Sequence, residues 1–317
     1  KPTEKRKKIA FYLRDKEDRD LIVKFTRDRT EAYKENFVQR ILPHHDILHH
    51  HLAQAFLGEP VACKIKDETF YLTVQEDISD KVDAQFEHMY YSNDRRTFMN
   101  YLEASVRNLA TLHHYATNIM EAVGEEAKVS LQGSNFLTKK RISALSRLTD
   151  WDKVLLEDLM SERIEEGTTF CHNDYKKNNR LGQYTIDWGN SGWSNYMKDI
   201  VRLTQDDRVL SMIPEYDRES VVKRLIDVYH RKKMGIAHSE EKPSASFIDT
   251  EYRQNYVKLA IAHNSTESSW SLEKRADDDS HIDFREALQG ELVRLHGNYI
   301  KEVSSREITF RSVQRAA

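Results

Sequence analysis

The chain has 317 residues, 32% charged and 39% apolar, with a formal net charge of −3. That length suffices for two lobes with a core each, its apolar runs fall short of the roughly 18 residues a membrane span needs, and its near-neutral charge excludes a global basic field for nucleic acid. A soluble protein is expected, and Cys63 and Cys171, far apart and without metal or redox spacing, suit a reducing cytoplasm, as does an opening without a charged-then-apolar leader.

Basic Lys5-Arg6-Lys7-Lys8 reads as a solvated strand start. Lys8 to Arg14 and Asp20 to Phe25 are strand-like runs about the charged turn Asp15-Lys16-Glu17-Asp18, which predicts a hairpin. Thr30 then caps a predicted helix with Phe37, Val38, Ile41 and Leu42 on one face. In the run His44 to His51, His45 and His49 stand at helical ligand spacing, but no glutamate base lies between them and no third ligand is in sight, so a surface helix end is the preferred reading. Val61 to Lys66 and Thr69 to Gln75 predict a second hairpin about Lys66-Asp67-Glu68.

From about Asp94 helical patterns dominate. Phe98, Tyr101, Leu102, Val106, Leu109, Ala110 and Leu112-His113 make an amphipathic helix ending at that Leu-His pair, and a second helical run spans about Lys139 to Ile164. Further helices are expected near Tyr196 to Leu203, Arg218 to Lys233, Thr250 to Ser265 and Phe284 to Val303, with Ser239 to Ser246 around Pro243 as a loop.

Between these helices runs Thr169-Phe170-Cys171-His172-Asn173-Asp174-Tyr175-Lys176-Lys177-Asn178-Asn179, followed by Ile186-Asp187-Trp188-Gly189. Phosphoryl transfer needs a carboxylate beside the acceptor hydroxyl and oxygen ligands for magnesium on the phosphate side, because positioning and charge neutralisation carry most of the catalysis. Asp174 can be the first, and Asn179 with Asp187 the second. Asp174 and Asn179 have the five-residue separation of the protein-kinase H-R-D-L-x-x-x-N loop, and Asp187 holds the place of the D-F-G aspartate.

Together with Ile186-Asp187-Trp188-Gly189-Asn190-Ser191-Gly192, Tyr196 and Asp199-Ile200, this stretch resembles the aminoglycoside phosphotransferase and choline kinase superfamily, and especially the I-D-x-G-x-x-G run of aminoglycoside 3′-phosphotransferases. The resemblance is strong over residues 168 to 203 and thin elsewhere. It departs from the family in two places: Asn173 replaces the usual glycine, and only seven residues separate Asn179 from Asp187, which demands a short intervening hairpin. The fold it implies is α+β and bilobal, protein-kinase-like, with a small antiparallel-sheet N-lobe over 1–78 and a larger, mostly helical C-lobe over 79–317. The order hairpin, helix, hairpin is that of a kinase N-lobe without its first strand; the phosphate-covering loop then lies upstream of Lys1 or is poor in glycine. No Ala-Pro-Glu follows Asp187, which favours a small-molecule kinase.

The resemblance implies roles for single residues. Lys24, ending Leu21-Ile22-Val23-Lys24-Phe25, would reach the nucleotide phosphates and needs a helix carboxylate, Glu35 by choice and Glu31 as the alternative; the competing reading is an edge-strand lysine. The base would lie against Val74-Gln75-Glu76-Asp77-Ile78, with ATP or GTP equally admissible. His172 would brace the loop and Asp199 fasten it. Lys176 would contact the transferring phosphate, or else form a solvated charge pair with Lys177. Asp277-Asp278-Asp279, with Glu267 and Glu273, would bind a polycationic acceptor, or else be an exposed acidic loop.

Three functions are compatible with these residues. The first is ATP- or GTP-dependent, magnesium-assisted phosphorylation of a small hydroxylated acceptor, an aminoglycoside foremost. The second has a choline-like or sugar alcohol, or a protein Ser/Thr, as acceptor. The third is a non-catalytic module, weakened because Lys24, Asp174, Asn179 and Asp187 are all present. Neither nucleic acid nor membrane is an expected partner.

Overall fold

Alternation of apolar and polar residues builds β1 (Lys8–Arg14) and β2 (Asp20–Thr26), joined where the Asp15 carboxylate accepts the amide protons of Glu17 and Arg19, each at 2.9 Å. β3 (Val61–Ile65) and β4 (Glu68–Glu76) form the second hairpin, and the four strands make one antiparallel sheet in the order β1-β2-β4-β3. The computed structural model describes residues 8–124, 169–239, 242–261 and 263–264, so the runs expected at Lys139 to Ile164 and Phe284 to Val303 lie outside the described residues. The described chain falls into two compact units that part between Asp199 and Ile200, the first holding the sheet and everything from Thr169 to Asp199.

Helix α1 (Arg29–Ile41) is capped by Asp28, whose carboxylate accepts the Glu31 N–H at 3.0 Å, and not by Thr30, which already lies within the first turn. A carboxylate outside that turn both satisfies an orphan amide and faces the positive end of the helix dipole. The inward face also differs from expectation. Val38 and Leu42 are fully buried, but Phe37 and Ile41 are only half-buried, and Glu35, Asn36 and Gln39 lie inside instead. Each has a polar partner: Lys24 for Glu35, the Leu57 and Gly58 carbonyls for Asn36, and Gln75 for Gln39.

Two helices follow, α2 (Ala84–Tyr91) and α3 (Arg95–Val123). Asp94 caps α3 by accepting from the Thr97 amide at 2.8 Å, and Phe98, Leu102, Val106 and Leu109 form a stripe with no exposed surface. The helix does not stop at Leu112-His113. Ala116 and Met120 extend the buried stripe, and nothing breaks the pattern until Gly124, at φ 105°.

After Thr169 the chain forms β5 (Thr169–Cys171), which pairs antiparallel with β8 (Gly192–Ser194). Between them sits the hairpin of β6 (Arg180–Leu181) and β7 (Tyr184–Thr185). α4 (Met197–Thr204) then leads the chain into the second unit.

The second unit contains α5 (Asp207–Met212), α6 (Glu215–Ile236) and α7 (Ala245–Glu251), the last running into a π-helical turn at Tyr252–Tyr256. Its core includes Leu225, Ile226 and Tyr229 of α6 and the stacked rings of Tyr252 and Tyr256, 5.4 Å apart. Tyr256 OH accepts from Gln205 Nε2 at 2.7 Å, so the packing includes a satisfied polar link. Ser244 caps α7 by accepting from the Phe247 amide, which ends the expected Ser239 to Ser246 loop a residue or two early.

Candidate active site

The loop after β5 is tied down at its first residue. Asp199, fully buried at the start of α4, accepts the His172 backbone N–H at 2.8 Å and meets His113 Nε2 of α3 at 2.9 Å through the same carboxylate oxygen. Asn173 comes next in the left-handed region, at φ 64°. Glycine adopts that conformation freely and asparagine is the side chain that best tolerates it, which accounts for the departure from the family pattern. Asn173 adds what glycine cannot: its Nδ2 donates to the carbonyls of Asn190 and Gly192, at 3.2 and 3.3 Å.

The His172 ring acts as a strut. Its Nδ1 accepts the Asp174 amide proton at 3.3 Å, so Nε2 carries the ring hydrogen and donates to the Ile186 carbonyl at 2.9 Å. The imidazole thereby joins Ile186, the residue before Asp187, to the Asp174 amide, and it packs edge-to-face with the Trp188 ring, centroids 4.7 Å apart.

Asp174 and Asn179 are in direct contact. Asn179 Nδ2 donates to the Asp174 backbone carbonyl and to Asp174 Oδ2, both at 2.8 Å. With two acceptors facing the NH2 group, the amide oxygen of Asn179 must point the other way. Lys176 Nζ lies 3.2 Å from Asp174 Oδ2 with its side chain 38% exposed, so it stands beside the carboxylate and still meets solvent. Lys177 is not the second half of a solvated pair. Its ammonium sits 2.7 Å from both oxygens of Glu87 on α2 and over the Tyr90 ring, and Glu87 also accepts the Gly182 amide proton.

Seven residues between Asn179 and Asp187 suffice because the hairpin turns through Gly182 and Gln183 alone. Gly182 sits at φ 56°, and a Cβ there would stand 2.8 Å from Val82 Cγ1, so both backbone and space require glycine. The pairing continues beyond the strands: Ile186 N–H donates to the Asn179 carbonyl at 2.9 Å, which brings Asn179 opposite the residue that precedes Asp187. Asp187 itself is left-handed, at φ 61° and ψ 59°.

Helix α1 reaches both this turn and the sheet. Lys24 lies on β2, an interior strand, and its Nζ is 2.5 Å from Glu35 Oε1, with Glu35 1% exposed; a solubilising edge lysine is therefore excluded. Glu31, the alternative partner, lies one helical turn away against Gly189, where a Cβ would come within 2.1 Å of Glu31 Cγ. Gly189 is thus the space α1 needs to pack on the residues after Asp187.

In the segment Gln75 to Ile78, hydrogen bonds within the protein are numerous. The Glu76 N–H donates to the Gln54 carbonyl and the Asp77 N–H to the Asp20 carbonyl, the Gln75 side chain is buried against Gln39, and the Asp77 carboxylate accepts from Ser79. Ile78 is fully buried and packs with Ala53 and Tyr184 of the hairpin, which joins this segment to β7.

The His44 to His51 stretch forms 3₁₀ turns rather than a helix end. His45 Nδ1 accepts the Ile47 amide proton, while the His49 and His50 rings lie tilted against each other, centroids 3.6 Å apart. Among the described residues, the one trio of His, Cys and Asp side chains close enough to share an ion is His113, Cys171 and Asp199. It is buried, and the Asp199 oxygen already holds the loop. Asp277, Asp278 and Asp279, with Glu267 and Glu273, lie outside the described residues.

Burial lifts the Tyr175 phenol to about 12, against a lowering by nearby Arg180, so its hydroxyl stays a donor throughout the neutral range. Arg180 is itself a residue that sequence reasoning passed over. A lone arginine opening a short strand before Leu181 was the available signal.

No family model matches the sequence, and no curated protein sequence matches it either. Solved structures do. The amicoumacin kinase hAmiN, in complex with AMP-PNP, Ca2+ and Ami, aligns with 92% of this chain and 86% of its own at 13% identity and a TM-score of 0.59. A protein of Ralstonia eutropha JMP134 provisionally described as an aminoglycoside phosphotransferase aligns over 94% and 91%, at 13% identity and a TM-score of 0.56. A thermostable mutant of the aminoglycoside phosphotransferase APH(4)-Ia, in ternary complex with ADP and hygromycin B, aligns over 93% and 92%, at 14% identity and a TM-score of 0.50. At such identities the likeness is one of fold: the chain has the kinase-like fold of these phosphotransferases, a four-stranded antiparallel sheet followed by a mostly helical remainder.

Proposed function

We propose that the protein is a nucleotide-dependent kinase that transfers a γ-phosphate to a hydroxyl of a small molecule, with aminoglycoside-type polycations as the leading acceptor class. The observation that carries this reading is the Asp174 carboxylate held by Asn179 at 2.8 Å, at the mouth of the hairpin that leads to Asp187. Asp174 orients the acceptor hydroxyl and takes its proton as the oxygen–phosphorus bond forms and the bond to the β-phosphate oxygen breaks. Lys176, beside that carboxylate and open to solvent, offsets charge on the transferring group. Lys24, steadied by Glu35, holds the α- and β-phosphates as a point charge.

The donor set suits magnesium. Asn179 turns its NH2 toward Asp174, which leaves a neutral amide oxygen, and Asp187 adds a carboxylate; hard cations of this size take oxygen ligands and keep several waters. When bound, the ion would neutralise phosphate charge. His172 and Asp199 place the loop without touching the acceptor.

Residues 1–78 are assigned to the nucleotide, and 79–317 to the catalytic loop, the metal ligands and the acceptor site. The base, whether of ATP or GTP, is assigned to Val74-Gln75-Glu76-Asp77-Ile78, where the Glu76 and Asp77 amides and the Ile78 carbonyl already serve bonds within the protein. Bound AMP-PNP and ADP in the solved structures support the nucleotide, and hygromycin B and Ami support a small acceptor. Asp277, Asp278 and Asp279 are assigned to a polycationic acceptor on charge alone. No helix among the described residues is long and apolar enough to cross a membrane, and both cysteines are free thiols, which suits a reducing compartment.

Radiolabelled ATP and GTP offered with a panel of aminoglycosides, choline, sugar alcohols and a Ser/Thr protein substrate test this reading. Magnesium-dependent label transfer to a small hydroxylated acceptor is expected, with Asp174→Asn retaining nucleotide binding and losing turnover on the order of a hundredfold or more. A wild-type protein that binds neither nucleotide would instead be a non-catalytic module, and labelling of the protein substrate alone would move the acceptor class.

A further inference from the structure

The residues that directly follow Asp174 and Asn179, namely Tyr175 and Arg180, converge on one turn of α3. Tyr175 OH donates to the Ser105 backbone carbonyl at 3.1 Å, and Arg180 Nη1 donates to Ser105 Oγ at 2.7 Å and Tyr101 OH at 2.9 Å. Ser105 Oγ in turn donates to the Tyr101 carbonyl at 2.6 Å, so the turn is locked from within. The guanidinium carbon lies 4.8 Å from the Tyr175 ring centroid, 5.0 Å from Phe86 and 5.1 Å from Tyr101.

Arg180 is 2% exposed, and among the described residues none of its contacts is a carboxylate and its Nε and Nη2 make no hydrogen bond. A cation removed from water without a counter-ion is costly. Aromatic faces and two hydrogen bonds offset part of that cost, yet an apolar side chain of similar volume commonly does as well or better for stability. Stability therefore does not account for an arginine here, whereas geometry does.

We propose that Arg180 is a positioning residue: caged by Tyr175, Tyr101 and Phe86 and bonded to Ser105, it fixes from behind the separation of Asp174 and Asn179. The proposal rests on the kinase reading above. Asn179 reaches Asp174 directly through its side chain, but that contact is only as rigid as the two backbone segments that bear it. Arg180 and Tyr175 pin both segments to the same helical turn and to each other. Loosening the clamp leaves acceptor recognition intact and lowers the fraction of molecules in which Asp174 is aligned.

Arg180→Leu, Arg180→Lys and Tyr175→Phe in the full chain test this, with unfolding midpoint, turnover and amide hydrogen exchange measured on each. For Arg180→Leu we expect an unchanged or raised midpoint, kcat lowered on the order of tenfold with the acceptor KM unchanged, and exchange of the Asn179 and Ile186 amides at least about tenfold faster. Arg180→Lys should recover part of the kcat, and Tyr175→Phe, which deletes one hydroxyl, should lower it roughly threefold should the leucine variant not fold. Wild-type exchange and kcat in Arg180→Leu overturn the proposal, as does a fall in midpoint that lysine does not rescue and that tracks the loss of activity. If the wild type transfers no phosphate at all, the kinase reading fails, while the exchange rates still decide whether the clamp exists.

Discussion

Helices α1 and α3 lie in the same unit and bury different chemistry. α3 turns Phe98, Leu102, Val106 and Leu109 inward with no exposed surface, whereas α1 turns Glu35, Asn36 and Gln39 inward, each at 1% exposure and each bonded to a named partner. Apolar area is non-directional, so α3 is held strongly but tolerates small shifts. Polar bonds fix distance and angle, so α1 is held in register with Lys24 and with the turn after Asp187. Where α3 carries polar contacts to other segments, as at Tyr101, Ser105, His113 and Thr117, they run to the loop that bears Asp174, to the Asp199 that fastens it and to β5 before it. In both helices buried polarity marks the approach to the site and buried apolar surface marks the scaffold.

The contrast breaks first at Leu109. Leu109→Ala in the α3 stripe should cost about 3 kcal/mol of stability, read from denaturant unfolding, while turnover per folded molecule stays near wild type. A catalytic loss in that variant greater than its loss of folded protein would show that α3 does more than support.

His230 on α6 offers a third kind of helix face for comparison. Burial, with a smaller contribution from Lys233, lowers its pKa from 6.5 to about 4, and its ring packs on Phe247 at 4.9 Å. The unfolded chain takes up the proton first, so this stability is fully present above about pH 6.5 and is lost as pH falls toward 4. The loss amounts to roughly 3–4 kcal/mol at most, given about 1.4 kcal/mol per pKa unit. Unfolding midpoints across that window should fall for the wild type and flatten for His230→Phe; equal slopes would remove His230 from the pH dependence.

The Lys24–Glu35 pair sharpens the comparison further. Removing Lys24 alone strands a buried carboxylate and should destabilise, but replacing the pair together, Lys24→Met with Glu35→Leu, should leave stability within about 1 kcal/mol of wild type. Nucleotide-dependent turnover in that double variant should nonetheless fall on the order of a hundredfold. Retained turnover would return the pair to a purely structural role. The smallest effect belongs to the cap of α1: Asp28→Ala should cost about 1 kcal/mol and Thr30→Ala less than half of that, as seen by thermal melts, and the reverse order would restore Thr30 as the cap.

Much of the architecture was legible in the sequence because its signals are local. Alternation and charged turns located β1 to β4 within a residue or two, long periodic runs located α3 and α6, and the short α4 was placed by the Tyr196 and Asp199-Ile200 motif instead. α2 and α5 passed unnoticed because eight and six residues are too short for a helical period to stand out. α3 was cut short at His113 because the motif, rather than the continuing apolar stripe through Met120, set its end. At the site, Asp174 and Asn179 could be named from spacing and His172 and Asp199 from the family resemblance, and hydrogen bonds join the four.

What the sequence by itself determined is the order of the longer elements and a set of candidate residues for phosphoryl chemistry, since periodicity and motif spacing are properties of neighbouring positions. Only the tertiary structure decided which partner each polar group takes. It placed Glu35 rather than Glu31 on Lys24, gave Lys177 to Glu87, showed that Asn173 stands where a left-handed backbone is required, and buried Arg180 among aromatic rings behind the loop. Those choices depend on which distant segments close against one another, and burial then makes a single partner far better than none.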